Sequence, residues 1–299
     1  MSMNIPFTIA KILKRIPLVA PLARKFNTNR HEAIGNRISA LCSKVENEQT
    51  DVPQPLALND GPIWVLWWQG EERAPQVVKA CIASIRKHAG DRSTIVITQD
   101  NVRKYAQLPD YIYTKLDAGS ITLTHFSDIL RFNLLRYHGG LWMDATLFVT
   151  KPLNTARYFG AFFTCSGYPD PSYFFVTKGQ WTGFFIGGSR NEPLFAFMDD
   201  FFRLYWQEND KLIDYFLIDY VLDYARTHRI GSLADWVDRE KGKDNPELFG
   251  LASRIAQPYD PMVWKELSQN TGVYKLSWKK PSHYPEHSFG DILLSPYVR

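Results

Sequence analysis

Cysteine is scarce: three residues in a chain of 299, at positions 42, 81 and 165. Their wide spacing and odd number exclude a disulfide framework and any cysteine-based metal pattern. They read as buried or incidental thiols of a protein kept in a reducing, cytoplasmic setting. No apolar run approaches the roughly 20 residues that a membrane-spanning helix requires. A strong charge bias is missing too: 35 basic against 31 acidic residues leave a formal charge of +4. That excess is too small to argue for nucleic acid, although it suits a phosphate-bearing ligand or an anionic surface. There is no internal repeat and no low-complexity tract. A glycine-rich phosphate loop is absent as well, since "WWQGEERAP" holds only Gly70 where a nucleotidyltransferase needs several glycines, and that activity is set aside.

What is present points to a folded α/β protein. Apolar residues make up 45% of the chain and aromatic residues 14%, enough for a sizeable core and too much for disorder. Length alone allows one large domain or two small ones. Residues 1–50 read as a basic helical arm. "IPFTIAKILKRIPLVAPLARKF" mixes Lys11, Lys14, Arg15, Arg24 and Lys25 with Ile9, Ile12, Leu13, Ile16, Leu18 and Val19. Basic residues, Pro17 and Pro21 interrupt the apolar stretch, which makes a poor secretory signal. Two readings stay open for it: a segment lying on an anionic membrane face, with residues 1–30 giving peripheral contact at the inner face of the cell membrane, or a helix packed on the domain. Residues 47–62, rich in Pro, Asn and Asp, read as a linker.

From residue 60 the pattern changes. "IWVLWW" (63–68) is a continuous apolar run between Pro62 and Gly70, as expected of a strand buried on both faces. Val77, Val78, Cys81, Ile82 and Ile85 then recur at helical spacing, with Gly90 as a stop, and "STIVIT" (93–98) is a second strand. Strand, helix, strand in short succession predicts a βαβ unit and parallel pairing. "LTHFSDILRFNLLRYHGG" is the clearest helix. Thr124 is the expected cap, Phe126, Ile129, Leu130, Leu134 and Tyr137 form an apolar stripe, and Gly139 ends it with positive φ. "LWM" follows as a third parallel strand, so Asp144 falls at its carboxyl end, the edge where open α/β sheets bind ligands.

A carboxylate there suits Mg²⁺, Mn²⁺ or a ribose hydroxyl. One helix upstream, Asp128 and Arg131 share a face. As a pair they read either as a plain i,i+3 ion pair or as an acceptor and a fork of donors aimed at sugar hydroxyls. Near the C-terminus "VYKLSWKKPSHYPEHS" gathers cations and imidazoles of the kind a departing diphosphate needs, or simply a solvated surface.

Together, "SDILRFNLLRYHGGLWMDAT", "IWVLWWQGEERAPQVVKACIASIRKH", "LPDYIYTKLDAGSITLTHFSD" and "KLIDYFLIDY" resemble the bacterial capsular polysaccharide synthesis proteins. These are relatives of the DXD-bearing sugar transferases, and the resemblance covers most of residues 60–280. It implies a GT-A (Rossmann-like) domain over 60–299, with a mixed, mainly parallel sheet flanked by helices and preceded by the helical arm. It also implies a nucleotide-sugar-dependent hexosyltransferase of capsular or other surface polysaccharide synthesis. The donor is a UDP- or GDP-linked sugar and the acceptor a glycan or lipid-linked oligosaccharide, with anomeric configuration retained. Residue by residue, Asp128, Arg131 and Asp144 hold the donor sugar, and Asp144 also meets the metal, Mn²⁺ or Mg²⁺. Trp67, Trp68 and Gln69 lie near the base, although core packing explains the two tryptophans as well. Lys275, Lys279 and His283 face the diphosphate. Asp214 and Asp219 stand near the reacting centre, and Asp214 reads equally as a helix cap. The chain departs from the pattern at Thr146, where the last DXD carboxylate is the usual direct metal ligand. The open alternatives are a metal held with help from His283 or His287, Lys275, Lys279 or Lys280 in the metal's place, or a non-catalytic nucleotide-sugar- or glycan-binding protein.

Overall fold

The structure, a computed structural model, describes residues 5–13, 19–49, 59–166, 168, 170–240, 244–279 and 284–297. His283 and Lys280 lie outside the described residues.

The expected βαβ unit forms. β1 (Ile63–Leu66) leads through α3 (Gln76–His88) to β2 (Thr94–Ile97), and the two strands pair in parallel. Val77, Val78, Cys81, Ile82 and Ile85 are all buried, and Gly90 turns the chain after α3 with φ 65°. β2 is an edge strand with only Ile97 fully covered, so "STIVIT" is half-buried rather than central. Two short helices, α4 (Val102–Tyr105) and α5 (Asp110–Asp117), then lead to α6 (Leu123–His138) and β3 (Gly140–Met143). β3 pairs in parallel with β1. After it come β4 (Leu147–Val149), β5 (Phe162–Thr164), β6 (Phe185–Gly188), α7 (Pro193–Glu208), α8 (Leu217–Thr227) and, near the C-terminus, β7 (Val273–Lys275).

The main sheet has the order β2-β1-β3-β6-β5. β6 runs antiparallel to both β3 and β5, so it alone opposes the other strands and half of the pairings are antiparallel. The sheet is therefore mixed, and the parallel half is the half built from βα crossovers, as chain connectivity demands. β4 leaves this sheet and pairs antiparallel with β7, Leu147 opposite Lys275.

The junction between α6 and β3 is tightly determined. Thr122, not Thr124, caps α6: its hydroxyl accepts the His125 N–H at 3.2 Å. At the other end Gly139 (φ 63°, ψ −158°) and Gly140 (φ 104°) take backbone conformations that side chains rarely adopt. A Cβ on Gly140 would stand 2.2 Å from the Pro62 carbonyl oxygen. Asn59 locks the corner, accepting the N–H of Gly140 at 2.8 Å and donating to its carbonyl at 3.0 Å. The glycine pair thus lets α6 turn sharply and lie beside β3, the strand that ends at Asp144.

The N-terminal helices, α1 (Ile5–Leu13) and α2 (Ala20–Glu48), lie on the domain rather than apart from it. α2 packs along α7 and α8 and buries Ala23, Asn27, Arg30, His31, Ile38, Cys42 and Val45. Phe7 of α1 meets the rings of Tyr215 and Phe216, each at 5.4 Å between centroids. Helical packing thus holds for α2, while Ile9, Ile12 and Leu22 remain exposed. No described helix is long and apolar enough to cross a membrane.

Candidate functional site

A cavity of about 200 Å³ opens at the carboxyl end of β3. Its floor carries Asp128 and Arg131 from α6, Asp144 after β3, and Asp219 from the first turn of α8. Its walls are aromatic and small: Tyr168, Phe175, Phe184, Tyr215, Phe249, Gly183 and three threonines at 124, 177 and 182. Larger hollows exist, one of about 310 Å³ between α2 and α8 and one of about 530 Å³ beside Trp236. Neither is lined by any of these four ionisable side chains, so chemistry favours the smaller one.

The four charges are arranged by two elements that the glycine corner brings together. Arg131 lies one helical turn after Asp128, and its Nη1 meets Asp128 Oδ1 at 3.2 Å. Its Nη2 reaches Asp144 Oδ1 at 3.4 Å, and its guanidinium lies 5.0 Å from the centre of the Trp142 ring. The i,i+3 pair therefore forms, as one side of a larger cluster. Gly183 is part of this fit, because a Cβ there would stand 2.8 Å from Arg131 Nη1.

Asp144 is the most heavily bonded carboxylate of the site. Trp142 donates its indole N–H to Oδ1 at 3.0 Å, and Lys275 donates to Oδ2 at 2.6 Å. Burial alone would raise the Asp144 carboxyl, but the charges of Lys275 and Arg131 and the hydrogen bonds from Lys275 and Trp142 hold it below the ordinary carboxylate value. Asp144 is thus an anion at any neutral pH.

Asp219 behaves in the opposite way. Its carboxyl is buried in the cavity wall, and Oδ1 has no hydrogen-bond partner among the described residues. Burial, reinforced by the nearby Asp128 charge, pushes it up to about 7, while Trp181 and Arg131 pull less strongly in the other direction. His125 lies beside Asp128, its Nδ1 3.6 Å from Oδ2 and without a hydrogen bond among the described residues, while its Nε2 accepts the Trp206 indole N–H at 2.9 Å.

The remaining expected residues fall in three places. Lys275 contacts Asp144 from β7 without lining the cavity. Trp67 and Gln69 end the first strand outside it. Trp67 meets the exposed Trp278 edge to face at 6.0 Å, Gln69 is exposed, and Trp68 packs against Phe126 at 5.3 Å. Lys279 is exposed beside Trp278, its Nζ 5.9 Å from that ring. Asp214 is elsewhere. It pairs with Arg30 of α2 at 3.5 Å, its Oδ1 accepts the Phe216 N–H at 2.9 Å, and it does not line the cavity. It does not cap α8, whose N-cap is Phe216 without a side-chain cap; its bond to the Phe216 N–H closes the turn ahead of that helix.

The donor set of the described residues is poorly suited to a divalent cation. Among the described residues no group of three or more His, Cys, Asp or Glu side chains is placed to hold a metal ion. Both oxygens of Asp144 already accept from cationic side chains, Arg131 and Lys275. Like unit charges about 4 Å apart repel by roughly 4 kcal/mol at an effective dielectric of about 20, and a divalent ion doubles that. Thr146 supplies no compensating anion; it is buried, and its carbonyl accepts the Leu276 N–H at 2.8 Å.

Several site residues carry no signal in the sequence. Tyr168, Tyr215, Phe249 and Gly183 line the cavity from segments far from α6 in sequence. Trp142 was readable as core. Its bond to Asp144 was not.

No curated protein matches the chain. Among solved structures it is similar to one described as "PaToxG Glycosyltransferase", at 13% identity with a TM-score of 0.42, covering 85% of this chain and 95% of that one. The family model described as "Capsular polysaccharide synthesis protein" matches residues 16–292. That span takes in α2, the whole main sheet and the Asp128–Arg131–Asp144 cluster, and the chain belongs to the capsular polysaccharide synthesis protein family.

Proposed function

We propose that the protein is a retaining glycosyltransferase that moves a hexose from a UDP- or GDP-linked donor to the hydroxyl of a glycan or lipid-linked oligosaccharide. The observation that carries this reading is the convergence of Asp128, Arg131, Asp144 and Asp219 on one cavity at the carboxyl end of β3. Its volume of about 200 Å³ lies below the 300–1,000 Å³ of sites that enclose a drug-sized ligand. That suits a single sugar unit, with the nucleotide lying outside. The aromatic walls offer faces to a pyranose ring, and Asp128 and Asp144 accept from its hydroxyls while Arg131 holds both in register. The base rests on the Trp67–Trp278 edge and Gln69, where stacking contributes about 1–3 kcal/mol. Lys275 and Lys279 lead from there towards Asp144 and face the diphosphate.

In the reaction the bond between the anomeric carbon and the diphosphate oxygen breaks as the acceptor oxygen bonds that carbon. The acceptor's proton leaves with the diphosphate. Asp219, which lines the cavity, faces the anomeric carbon and stabilises its developing positive charge. It does so only when ionised. Most of the rate arises from orientation and from cations at the leaving group.

A panel of nucleotide sugars offered to the purified protein tests the reading. We expect transfer with at least one donor, a loss of at least ~10²-fold in Asp144→Ala and in Arg131→Ala, and unchanged circular dichroism. Full activity in either variant defeats the site assignment, and binding without turnover favours a non-catalytic nucleotide-sugar-binding protein instead.

Peripheral membrane contact is supported by α1 and the start of α2. Ile12 and Leu22 are 56% and 62% exposed, Lys11, Arg24 and Lys25 stand among them, and Phe7 touches Tyr215 at the cavity wall. A lipid-linked acceptor would then arrive at the mouth of the site. Because α2 belongs to the core, removing residues 1–50 would unfold the protein. The test is flotation with anionic vesicles, which Ile9→Glu/Ile12→Glu should abolish at unchanged Tm.

A further inference from the structure

Lys275 is built into the fold as a fixed cation. Leu147 and Lys275 are partners in the β4–β7 ladder, so the turn that follows Asp144 determines where Lys275 stands. Two further backbone bonds hold it: its N–H donates to the Leu248 carbonyl at 2.7 Å, and the next residue, Leu276, donates to Thr146 at 2.8 Å. The side chain crosses to Asp144, Nζ to Oδ2 at 2.6 Å, and passes 4.6 Å from the centre of the Phe184 ring, itself part of the cavity wall. An ammonium has three N–H donors and Asp144 takes one. The side chain is 19% exposed, so the ammonium is not sealed off from a ligand.

Arg131 cannot play that part. Its two terminal nitrogens are committed to Asp128 and Asp144, and its side chain is 3% exposed. Lys279 is free but projects from an exposed turn with no anchor on the cluster. Lys275 alone of the three is both immobilised and unsaturated. Thr146, meanwhile, has given up the carboxylate that would draw a metal ion to this turn, and its backbone serves to pin β7 instead.

We infer that the Lys275 ammonium, oriented by Asp144, takes the position of the divalent cation, so that a nucleoside diphosphate binds here without metal. This rests on the nucleotide-sugar reading and sharpens it. Transfer needs no electron donor or co-reactant under this scheme; the cation simply offsets charge as the diphosphate departs.

Calorimetric titration of the full chain with UDP and GDP, first in EDTA and then with Mn²⁺ or Mg²⁺, tests it directly. We expect at least one diphosphate to bind in EDTA, with Kd changed less than twofold by either metal. Lys275→Ala should weaken that diphosphate at least tenfold and the matching monophosphate less than threefold, whereas Lys275→Arg should stay within fivefold of the wild type. A merely structural ion pair would not separate diphosphate from monophosphate. Binding that appears only with metal overturns the inference while leaving the donor reading intact, and needs no variant to fold. Equal losses for the two nucleotides, or no loss, also overturn it. If neither diphosphate binds under any condition, the donor reading falls and this inference with it.

Discussion

Asp214 and Asp219 make an informative pair. They lie within one short stretch, "DYFLID", are 3% and 8% exposed, and burial raises both carboxyls. Yet Asp214 belongs to an ion-paired seam away from the cavity. Arg30 meets it at 3.5 Å, the Phe216 N–H closes one oxygen, and Arg30 is in turn held by His31 at 3.0 Å. His31 is itself kept neutral, lowered to about 3 by burial and by the Arg30 and Lys178 charges, so it accepts from Arg30 without repelling it. Asp219 instead lines the cavity with a second carboxylate, Asp128, nearby, and its Oδ1 is buried. Two buried acids of similar exposure thus divide by their surroundings: one is paired with Arg30, the other lines a cavity beside Asp128. An ion-paired carboxylate away from the cavity marks a support; a raised carboxyl that lines the cavity beside a second carboxylate marks a candidate reactive group.

The contrast breaks most visibly in activity. Asp219→Asn should lower kcat by about 10²–10³-fold with little change in KM, because the amide supplies no charge to the anomeric carbon. In the wild type kcat should climb with pH through about 7, since the ionised form is required. A flat profile between pH 5.5 and 8.5 would remove Asp219 from the reaction.

The next effect belongs to the seam. Asp214→Ala strands Arg30, a buried cation, and should destabilise the protein by about 3–5 kcal/mol in urea titrations. Where the variant is folded, its kcat should stay within about threefold of the wild type. A stable but inactive Asp214→Ala would reverse the roles assigned here.

The smallest effect has the opposite sign. Because the folded-state pKa of Asp219 is raised, ionising it opposes folding. Stability falls as pH rises from about 4 to about 7 and the penalty stays constant above that. Asp219→Asn removes that penalty and should be more stable than the wild type by about 1–3 kcal/mol at pH 8, with no gain at pH 4. Equal stability at both pH values would show that the carboxyl is not strained.

How much of this was legible in the sequence follows from the range of each interaction. "IWVLWW", the stripe of α3 and the "HGG" stop are local patterns, and β1, α3, α6 and β3 form where those patterns put them. Asp144 was found because a strand's end is a local event, and Asp128–Arg131 because three residues on a helix always share a face. Where a local rule was ambiguous it misled by small amounts: the cap is Thr122 rather than Thr124, and β2 is an edge strand because its single neighbour is β1. The direction of β6 and the separate β4–β7 ribbon depend on returns through long aromatic loops, which have no periodicity to read.

What the sequence determined by itself was therefore a βαβ start, a helix carrying a charged pair, a glycine corner and an anion at a strand's end, together with the family to which the chain belongs. The tertiary structure decided which partner each charge received. Lys275 stands 131 positions from Asp144 and Arg30 stands 184 from Asp214. Separations of that size leave no trace in local spacing. Chain connectivity, register and the exclusion of water settle such pairs, and here they made one aspartate a strut and set the other in the lining of a cavity.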